Sequence, residues 1–380
     1  MELLNFTEQH KTYRKHFQKF LETDVIPHID DWERDHMTPK SAWKKMGQAG
    51  FLCPWVSTEY GGMGGDFLHS IVINKELSWT NHTGLMAYLH SDIIVPYINT
   101  FGTQTQKKKY LPGCVSGDIV MAVAMTEPDS GSDLASMSTT AVEEGNEVVI
   151  NGSKTFISIG YNCDLVIVAA KDPKVANPHK AISLYLVEDG TPGFIRGSKF
   201  EKMGMHSQDT AELFFNNCTI PIENRLGEKG SGFVMLMQKL QQERLMVAMM
   251  SVWAAEFALE WVTNYYRKTD TNGGGPSTSQ AVQFAIAEMA TDVMVGKNFV
   301  YKLAADHMEK KSIVTETSMA KFWASDMAKR VTSKILEMVG TDGLKQGCPV
   351  SRTWCDVQVY SIFAGTNEIM KTIIAKSMKL

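Results

Sequence analysis

Residues 125–133 read MTEPDSGSD, and they close the apolar run VMAVAM that begins at Val120. The length and composition of this run predict a buried strand that ends at Met125. The small and hydroxyl-bearing residues that follow form a loop that can offer backbone N–H groups and hydroxyls to a polar ligand. The same composition is also typical of an ordinary turn, so the loop by itself is only a candidate binding site.

Three further apolar runs of strand length follow the loop. They occupy residues 147–150, 165–170 and 182–187. Turns are predicted at Asn151-Gly152 and at Asp189-Gly190, which gives the regular spacing of an all-β region. The sequence has no GxGxxG segment that follows a strand and opens a helix, which disfavours a Rossmann dinucleotide-binding unit.

Helical patterns flank this β region on both sides. Before it, a polar helix begins at Gln104 and is predicted to stop at Pro112-Gly113. After it, three long helical patterns are predicted over residues 233–268, 280–310 and 315–339. We therefore expect a mainly α fold with a central β domain: a helical domain over 1–120, a β domain over 121–230 and a helical bundle over 231–380.

Composition narrows the class of protein. Apolar residues make up 44% of the 380 residues and charged residues 21%, which is globular, and the formal net charge is only -4. So small a charge argues against a nucleic-acid partner and against a membrane partner. The six cysteines form no CxxC pair, so neither a metal site nor a disulfide framework is expected. We also see no secretion signal and no apolar run long enough to span a bilayer, and we expect a cytoplasmic protein.

Four segments occur together in the order and spacing of the acyl-CoA dehydrogenase family, which this chain resembles over essentially its whole length. They are the loop at 125–133, NGSK at 151–154, ER at 243–244 and AGTNEI at 364–369. The resemblance implies a β-barrel-like middle domain and a C-terminal four-helix bundle, with FAD between them. It also implies a homotetramer that oxidises an acyl-CoA substrate and passes electrons to an electron-transfer flavoprotein.

The resemblance also implies which residues contact the flavin ring. Ala124, Met125 and Thr126 would run along the flavin edge and donate backbone or hydroxyl hydrogen bonds. Phe156 takes the place of an aromatic residue, often Trp, that packs against the isoalloxazine. Ser158 takes the place of a hydroxyl near flavin N5. From the residues alone, a Phe in a strand is usually core.

Other positions correspond to contacts with the rest of FAD and with the substrate. Thr366 and Glu368 would lie by the FAD diphosphate and adenosine, although the residues alone indicate a capped helix start. Ser132 would contact the CoA pantetheine. Ala364 and Gly365 would lie at the substrate, where the backbone N–H of Ala364 and a ribityl hydroxyl donate to the thioester oxygen.

The family's usual catalytic base is missing, because Ala364 stands where a Glu normally precedes Gly-Thr. The isovaleryl- and long-chain enzymes carry the base on the long helix just before an Arg, and Glu243 before Arg244 matches that position. Arg244 would hold the CoA end. Glu243 could equally be a structural ion-pair partner of Arg244 or of a nearby Lys.

Asp92 is a second candidate base, because it lies in an apolar segment where burial would raise its pKa. A surface Asp, or a partner of His90, is the alternative. An acid here combined with Ala364 resembles the alicyclic acyl-CoA dehydrogenases. The preferred substrate hypothesis is therefore cyclohex-1-ene-1-carboxyl-CoA, converted by 1,4-elimination to a conjugated diene. The first alternative is α,β-dehydrogenation of a branched or longer acyl chain with Glu243 as the base. The remaining alternatives are an acyl-CoA oxidase and a non-catalytic scaffold that binds acyl-CoA.

Two family motifs that contact FAD are altered. The stretch at residues 269–273 lacks the expected Arg, for which Arg267 could substitute, and residues 337–341 replace a Gln-x-x-Gly-Gly turn. The resemblance therefore supports the flavin-ring contacts more strongly than the contacts on this side of FAD.

Overall fold

The computed structural model describes residues 3–269, 278–345 and 347–380. The helices are α1 (Glu8–Phe20), α2 (Ile29–Asp35), α3 (Lys40–Gln48), α4 (Phe67–Trp79), α5 (Val95–Phe101), α6 (Gln104–Ser116), α7 (Pro178–Ala181), α8 (Gly232–Thr269), α9 (Gln280–Met308), α10 (Val314–Val339), α11 (Pro349–Val357) and α12 (Asn367–Ser377). The strands are β1 (Met121–Ala124), β2 (Thr140–Glu144), β3 (Glu147–Ser158), β4 (Leu165–Lys171), β5 (Ile182–Glu188), β6 (Phe194–Lys199), β7 (Thr210–Pro221) and β8 (Arg225–Leu226). Helices, then strands, then helices confirm the predicted fold class.

Helix α6 does not stop where the sequence predicts. It continues through Pro112 and Gly113 to Ser116, and it ends at Gly117 in the left-handed conformation. Pro112 removes one backbone hydrogen bond. The helix nevertheless continues because Cys114 in the following turn is fully buried. The predicted stop was wrong because tertiary packing outweighed a local rule.

A π-helical turn at Leu89–Ile94 directly precedes α5, which begins at Val95. Asp92 lies in this turn, and all six of its residues are buried. Turns of this type are frequent at functional sites, because they re-aim side chains relative to a regular helix.

The strands form one sheet in the order β6-β7-β3-β2-β4-β5-β8, and β1 pairs in parallel with β4. The predicted turn at Asp189-Gly190 is present, and Gly190 has φ +78°. The predicted turn at Asn151-Gly152 was wrong, because β3 runs straight through it. The Asn151 side chain accepts a hydrogen bond from the backbone N–H of Asn217 on β7, at a register shift. A cross-strand bond therefore replaces the turn.

The three long C-terminal helices agree closely with the sequence patterns. Helix α10 packs against α8, α9, α11 and α12. The glycine-rich stretch NGGGP at residues 272–276, between α8 and α9, lies outside the described residues. By length and composition α8 could cross a membrane, but 72% of its most apolar window is buried inside the protein. The expectation that no apolar run is long enough to span a bilayer is thereby corrected, and core packing accounts for this helix.

Candidate active site

The loop after β1 is attached to β3 at two adjacent residues. Lys154 donates from Nζ to the Met125 carbonyl oxygen at 3.0 Å. The backbone N–H of Thr155 donates to the Thr126 carbonyl oxygen at 2.9 Å. The strand itself ends at Ala124, one residue earlier than predicted. Residues 125 and 126, assigned to the flavin edge, are therefore held rigidly by the neighbouring strand.

A buried ion pair anchors the same loop. Lys154 Nζ lies 2.8 Å from Glu127 Oε1, and both side chains are almost inaccessible to solvent. The Glu127 carboxylate also accepts hydrogen bonds from the backbone N–H groups of Ser138 and Thr139. Burial opposes ionisation of both partners. It lowers the pKa of Lys154 to about 8, against the attraction of Glu127, whereas Lys154 and the hydrogen bonds outweigh burial and lower the pKa of Glu127.

Phe156 presents an aromatic face to solvent, with 66% of its surface exposed. It has φ +56° and lies at a register shift in β3, where an irregularity redirects a side chain. Its ring stacks on Phe200 with centroids 5.0 Å apart. Ser158 follows two residues later and is half-buried, whereas Ile157 between them points into the core. An exposed aromatic beside a hydroxyl fits a flat ring ligand such as the flavin of FAD, rather than the ordinary core position of a strand Phe.

The segment before α12 is shaped by two residues with positive φ. Ala364 has φ +57° and Gly365 has φ +89°. Lys321, fully buried on α10, donates from Nζ to the Gly365 carbonyl oxygen at 2.7 Å. Thr366 caps the helix by accepting the Ile369 N–H, as predicted. The N-terminus of α12 can receive an anion such as a diphosphate, and Thr366 lies at that end.

Glu243 lies on α8 and, like Glu256 on the same helix, has a carboxylate oxygen without a hydrogen-bond partner among the described residues. In Glu243 this oxygen is the buried Oε2. Burial raises the pKa of Glu243 to about 7, while Arg244 and Lys321 act in the opposite direction. Arg244 is itself buried, and its Nη2 would lie 3.9 Å from a Cβ placed on Gly365. The site thus brings the predicted base together with the segment before α12.

Two buried tyrosines lie within electrostatic range of the same carboxylate. Burial raises the pKa of Tyr88 and of Tyr97 well above the ordinary range, and the negative charge of Glu243 adds to both shifts. The Tyr88 hydroxyl is buried and unpaired among the residues the structure describes. Tyr88 also lines a cleft with mainly apolar walls, together with Met86, Met250 and Tyr360. The cleft has a volume of about 40 Å³, and Glu243 is not among the residues that line it.

Asp92 is fully buried, whereas Glu243 is a half-buried residue with one buried oxygen, and both Asp92 oxygens are hydrogen-bonded. They accept hydrogen bonds from Ser70 at 2.5 Å and from Asn74 at 2.9 Å. Burial nevertheless raises the pKa of Asp92 to about 6. Asp92 is neither a surface residue nor a partner of His90, whose ring contacts the backbone of Cys114 and Met121 instead. Both alternatives offered for Asp92 were therefore wrong.

Gln242 links the two candidate bases through the backbone. Its Nε2 donates to the Asp92 carbonyl oxygen at 2.6 Å. The next residue on α8 is Glu243. Asp92 and Glu243 therefore lie on elements that touch each other, and they differ in how completely their carboxylates are hydrogen-bonded.

The remaining predicted residues are peripheral to this cluster. Ser132 is exposed in the loop after β1, and Glu368 is exposed in the first turn of α12. Arg267 is exposed near the end of α8. Most of the altered stretch at 269–273 lies outside the described residues. The structure shows no direct bond between any of these side chains and the Glu243 cluster.

Sequence reasoning missed Lys321 and Tyr88. A Lys on the apolar face of α10, among the buried Ala320 and Ala324, was the available signal for Lys321. A buried ammonium needs acceptors, and Lys321 finds the Gly365 carbonyl and Asn367 Oδ1. Tyr88 has no comparable signal, because only the fold brings it near α8.

One histidine cluster has the spacing of a metal site. His10, Asp66 and His69 place their ligand atoms within 4.8 Å of one another. Each histidine also closes a capping box, His10 on α1 and His69 on α4. His10 then bonds Asp66 at 3.0 Å, so that the cluster joins the starts of two helices. Helix capping accounts for these contacts.

Comparisons with known proteins identify the family. Models of the acyl-CoA dehydrogenase N-terminal, middle and C-terminal domains match residues 7–118, 122–218 and 230–379. The chain therefore belongs to the acyl-CoA dehydrogenase family, whose members are FAD-dependent oxidoreductases that act on acyl-CoA thioesters.

Individual relatives match along the whole chain. The mitochondrial long-chain specific acyl-CoA dehydrogenase of Mus musculus is 40% identical over 98% of this chain and 87% of its own length. An acyl-CoA dehydrogenase structure from Geobacillus kaustophilus is 49% identical, covers 99% of both chains and has a TM-score of 0.97. Butyryl-CoA dehydrogenase from Megasphaera elsdenii is 31% identical, covers 99% of this chain and 100% of its own, and has a TM-score of 0.93.

Proposed function

We propose that this protein dehydrogenates the α,β bond of an acyl-CoA thioester and that Glu243 takes the α-proton. The single observation that carries the proposal is the buried Glu243 Oε2, which has no hydrogen-bond partner among the described residues. A general base needs a free lone pair in reach of the proton. It also works best with a pKa near the operating pH, and burial raises the pKa of Glu243 to about 7.

The charges around Glu243 support this role. Arg244 and Lys321 favour the ionised carboxylate, which keeps the base active at neutral pH despite its burial. Lys321 also holds the Gly365 carbonyl, and through it the backbone at Ala364. We infer that the Ala364 N–H donates to the thioester oxygen, where a preorganised donor stabilises the charge that develops as the α-proton leaves.

The residues assigned to FAD suit that cofactor. Phe156 offers an exposed aromatic surface, and Met125 and Thr126 are held in place beside it by β3. Thr366 lies at a helix N-terminus, which favours a diphosphate. FAD, when bound, supplies the acceptor for the second hydrogen, which leaves the substrate as hydride.

Dehydrogenation of a cyclic thioester by Asp92 is the second candidate. Complete burial and a pKa raised to about 6 favour Asp92 as a base. Against it, Ser70 and Asn74 already donate to its two oxygens, so a substrate proton would have to compete with both. We therefore rank 1,4-elimination on cyclohex-1-ene-1-carboxyl-CoA below α,β-dehydrogenation by Glu243.

The acyl group and the assembly are further proposals. The 40% identity to a long-chain specific enzyme supports a long acyl chain. Exposed apolar side chains on α9, at Phe284, Met294 and Val295, support a homotetramer that covers them. We also propose a cytoplasmic enzyme whose electrons pass to an electron-transfer flavoprotein.

Anaerobic bleaching of bound FAD by a panel of CoA thioesters tests these proposals together. We expect linear or branched thioesters to bleach the wild-type flavin, and Glu243→Gln to abolish bleaching while FAD stays bound. Bleaching by the cyclic thioester alone, lost in Asp92→Asn, would select the second candidate. Rapid peroxide formation in air would indicate an oxidase, and a protein that cannot take up FAD would indicate a scaffold.

A further inference from the structure

Holding the loop after β1 against β3 does not by itself require the buried ion pair of Glu127 and Lys154. Both side chains are almost fully buried, at 4% and 0% exposure. Breaking a buried pair is strongly destabilising, but replacing the whole pair by apolar residues is often neutral. Stability alone therefore gives no reason to retain a buried pair here, and its position beside the flavin loop suggests another role.

Glu127 organises the loop from within. Its backbone pairs with Ser130 in both directions, N–H to oxygen, at 2.8 and 3.2 Å. Its carboxylate receives the N–H groups of Ser138 and Thr139, eleven and twelve residues along the chain. The carboxylate thus closes the loop onto itself, and Lys154 is the cation that balances its charge.

Besides Glu127, the Lys154 ammonium group contacts a peptide group. Its Nζ donates to the Met125 carbonyl oxygen at 3.0 Å. That carbonyl and the N–H of Thr126 belong to the same planar trans amide, in which they point in opposite directions. The Thr126 N–H therefore points away from the buried pair, and Thr126 is half-exposed.

A cation on a carbonyl oxygen polarises the whole amide. Hydrogen bonds in a low-dielectric interior strengthen one another along a chain, so that the N–H at the far end becomes a better donor. The carbonyl of Thr126, which belongs to the next peptide group, accepts the Thr155 N–H, so the chain is held on both sides of the Thr126 Cα. The arrangement is thus a fixed, positively polarised donor at residue 126.

We propose that Lys154 is a positioning residue that tunes the flavin reduction potential through the Met125–Thr126 peptide. This rests on the proposed assignment of residues 124–126 to the flavin edge. Two-electron reduction adds negative charge to the flavin ring. A polarised donor and a nearby cation therefore favour reduced over oxidised FAD, and Lys154 raises the potential at which the enzyme accepts hydride.

The test compares three variants of the holoenzyme by dye-linked reductive titration. Lys154→Met removes the cation, and the double substitution Lys154→Met with Glu127→Gln also removes the unpaired carboxylate. Glu127→Gln alone keeps the cation and its bond to Met125. We expect reduced FAD to lose about tenfold in affinity relative to oxidised FAD in both variants that lack Lys154. For a two-electron couple this is about 30 mV towards more negative potential. Glu127→Gln should not shift the potential downwards.

Lys297→Met is a matched control, because it removes the lysine of another ion pair. Lys297 Nζ lies 2.6 Å from Glu256 Oε1, and this pair joins α9 to α8. The substitution should change stability without changing the potential. A potential unchanged in the double variant would overturn the inference, as would an equal shift in the control. If Lys154→Met does not fold, the double variant decides.

The titration uses dithionite and a dye, and it needs neither acyl-CoA nor Glu243. Its outcome is therefore independent of the proposed base and substrate. FAD affinity of the apoproteins, followed by flavin fluorescence, is a second readout: a looser loop without polarisation weakens oxidised and reduced FAD equally. Equal weakening of the two affinities would show that Lys154 only holds the loop in place. The proposed dehydrogenase function would be unaffected by that result.

Discussion

Substitution of Glu243 by Gln tests the chemistry and the energetics of the site at once. The change removes a charge and keeps the shape of the side chain. Because burial raises the pKa of Glu243 from its ordinary 4.5 to about 7, the ionised group is less favourable in the folded protein than in the unfolded chain. One pKa unit corresponds to about 1.4 kcal/mol, so the wild type carries a penalty of about 3 kcal/mol above pH 7.

The sign of this effect sets its pH window. A carboxyl with a raised folded-state pKa destabilises the fold once the unfolded group ionises, so the penalty is absent below about pH 4.5. It grows between pH 4.5 and 7 and is constant above pH 7. We expect Glu243→Gln to be more stable than the wild type at pH 8, by up to about 3 kcal/mol, and no more stable at pH 4.5. Urea unfolding at the two pH values measures the difference.

The same variant should lose its catalytic step. General-base catalysis contributes about 10²–10⁴-fold, and we expect flavin bleaching to slow by at least that factor while FAD stays bound. The wild-type bleaching rate should rise with pH through about pH 7, as Glu243 ionises. Glu260→Gln, an exposed residue of the same helix, is the control and should change neither rate nor stability.

Two results would refute this reasoning separately. Bleaching of Glu243→Gln at the wild-type rate would place the base elsewhere. An identical pH dependence of stability in the variant and the wild type would mean that the buried oxygen is compensated, for example by water.

Four further substitutions test other parts of the site and fold. In Asp92→Asn, linear thioesters should bleach the flavin at close to the wild-type rate. Loss of this bleaching in stopped-flow measurements would contradict Glu243 as the base. Lys321→Met releases the Gly365 carbonyl, and steady-state kinetics should show kcat/KM lower by about 10²-fold with FAD retained. Phe156→Ala should weaken FAD binding by up to about tenfold in fluorescence titrations, the value of one aromatic contact, with no change in apoprotein melting. Gly117→Ala places a Cβ 2.3 Å from the Trp43 carbonyl oxygen at φ +76°, and urea unfolding should show a loss of about 1–3 kcal/mol.

Regular periodicity made the architecture predictable from the sequence. Apolar residues recur at the helical period in α8, α9 and α10, and they form short continuous runs in β4 and β5. In both cases tertiary packing reinforces the local preference. The errors lie where a single residue was given too much weight. Pro112 costs one hydrogen bond, which the burial of the next turn outweighs, and Asn151 bonds across the sheet instead of turning. Such outcomes depend on neighbours that are distant in sequence.

The residue types of the candidate site were likewise visible in the sequence, because the motifs keep their order and spacing. Only the tertiary structure distinguished Asp92, whose oxygens are taken by Ser70 and Asn74, from Glu243, whose Oε2 is unpaired within the described residues. Burial and hydrogen-bond partnership decide a pKa, and both are contributed by side chains from separate helices. Periodicity and motif spacing therefore determined the elements and the candidates, whereas the packing of α4 and α8 around them decided which carboxylate keeps a free lone pair.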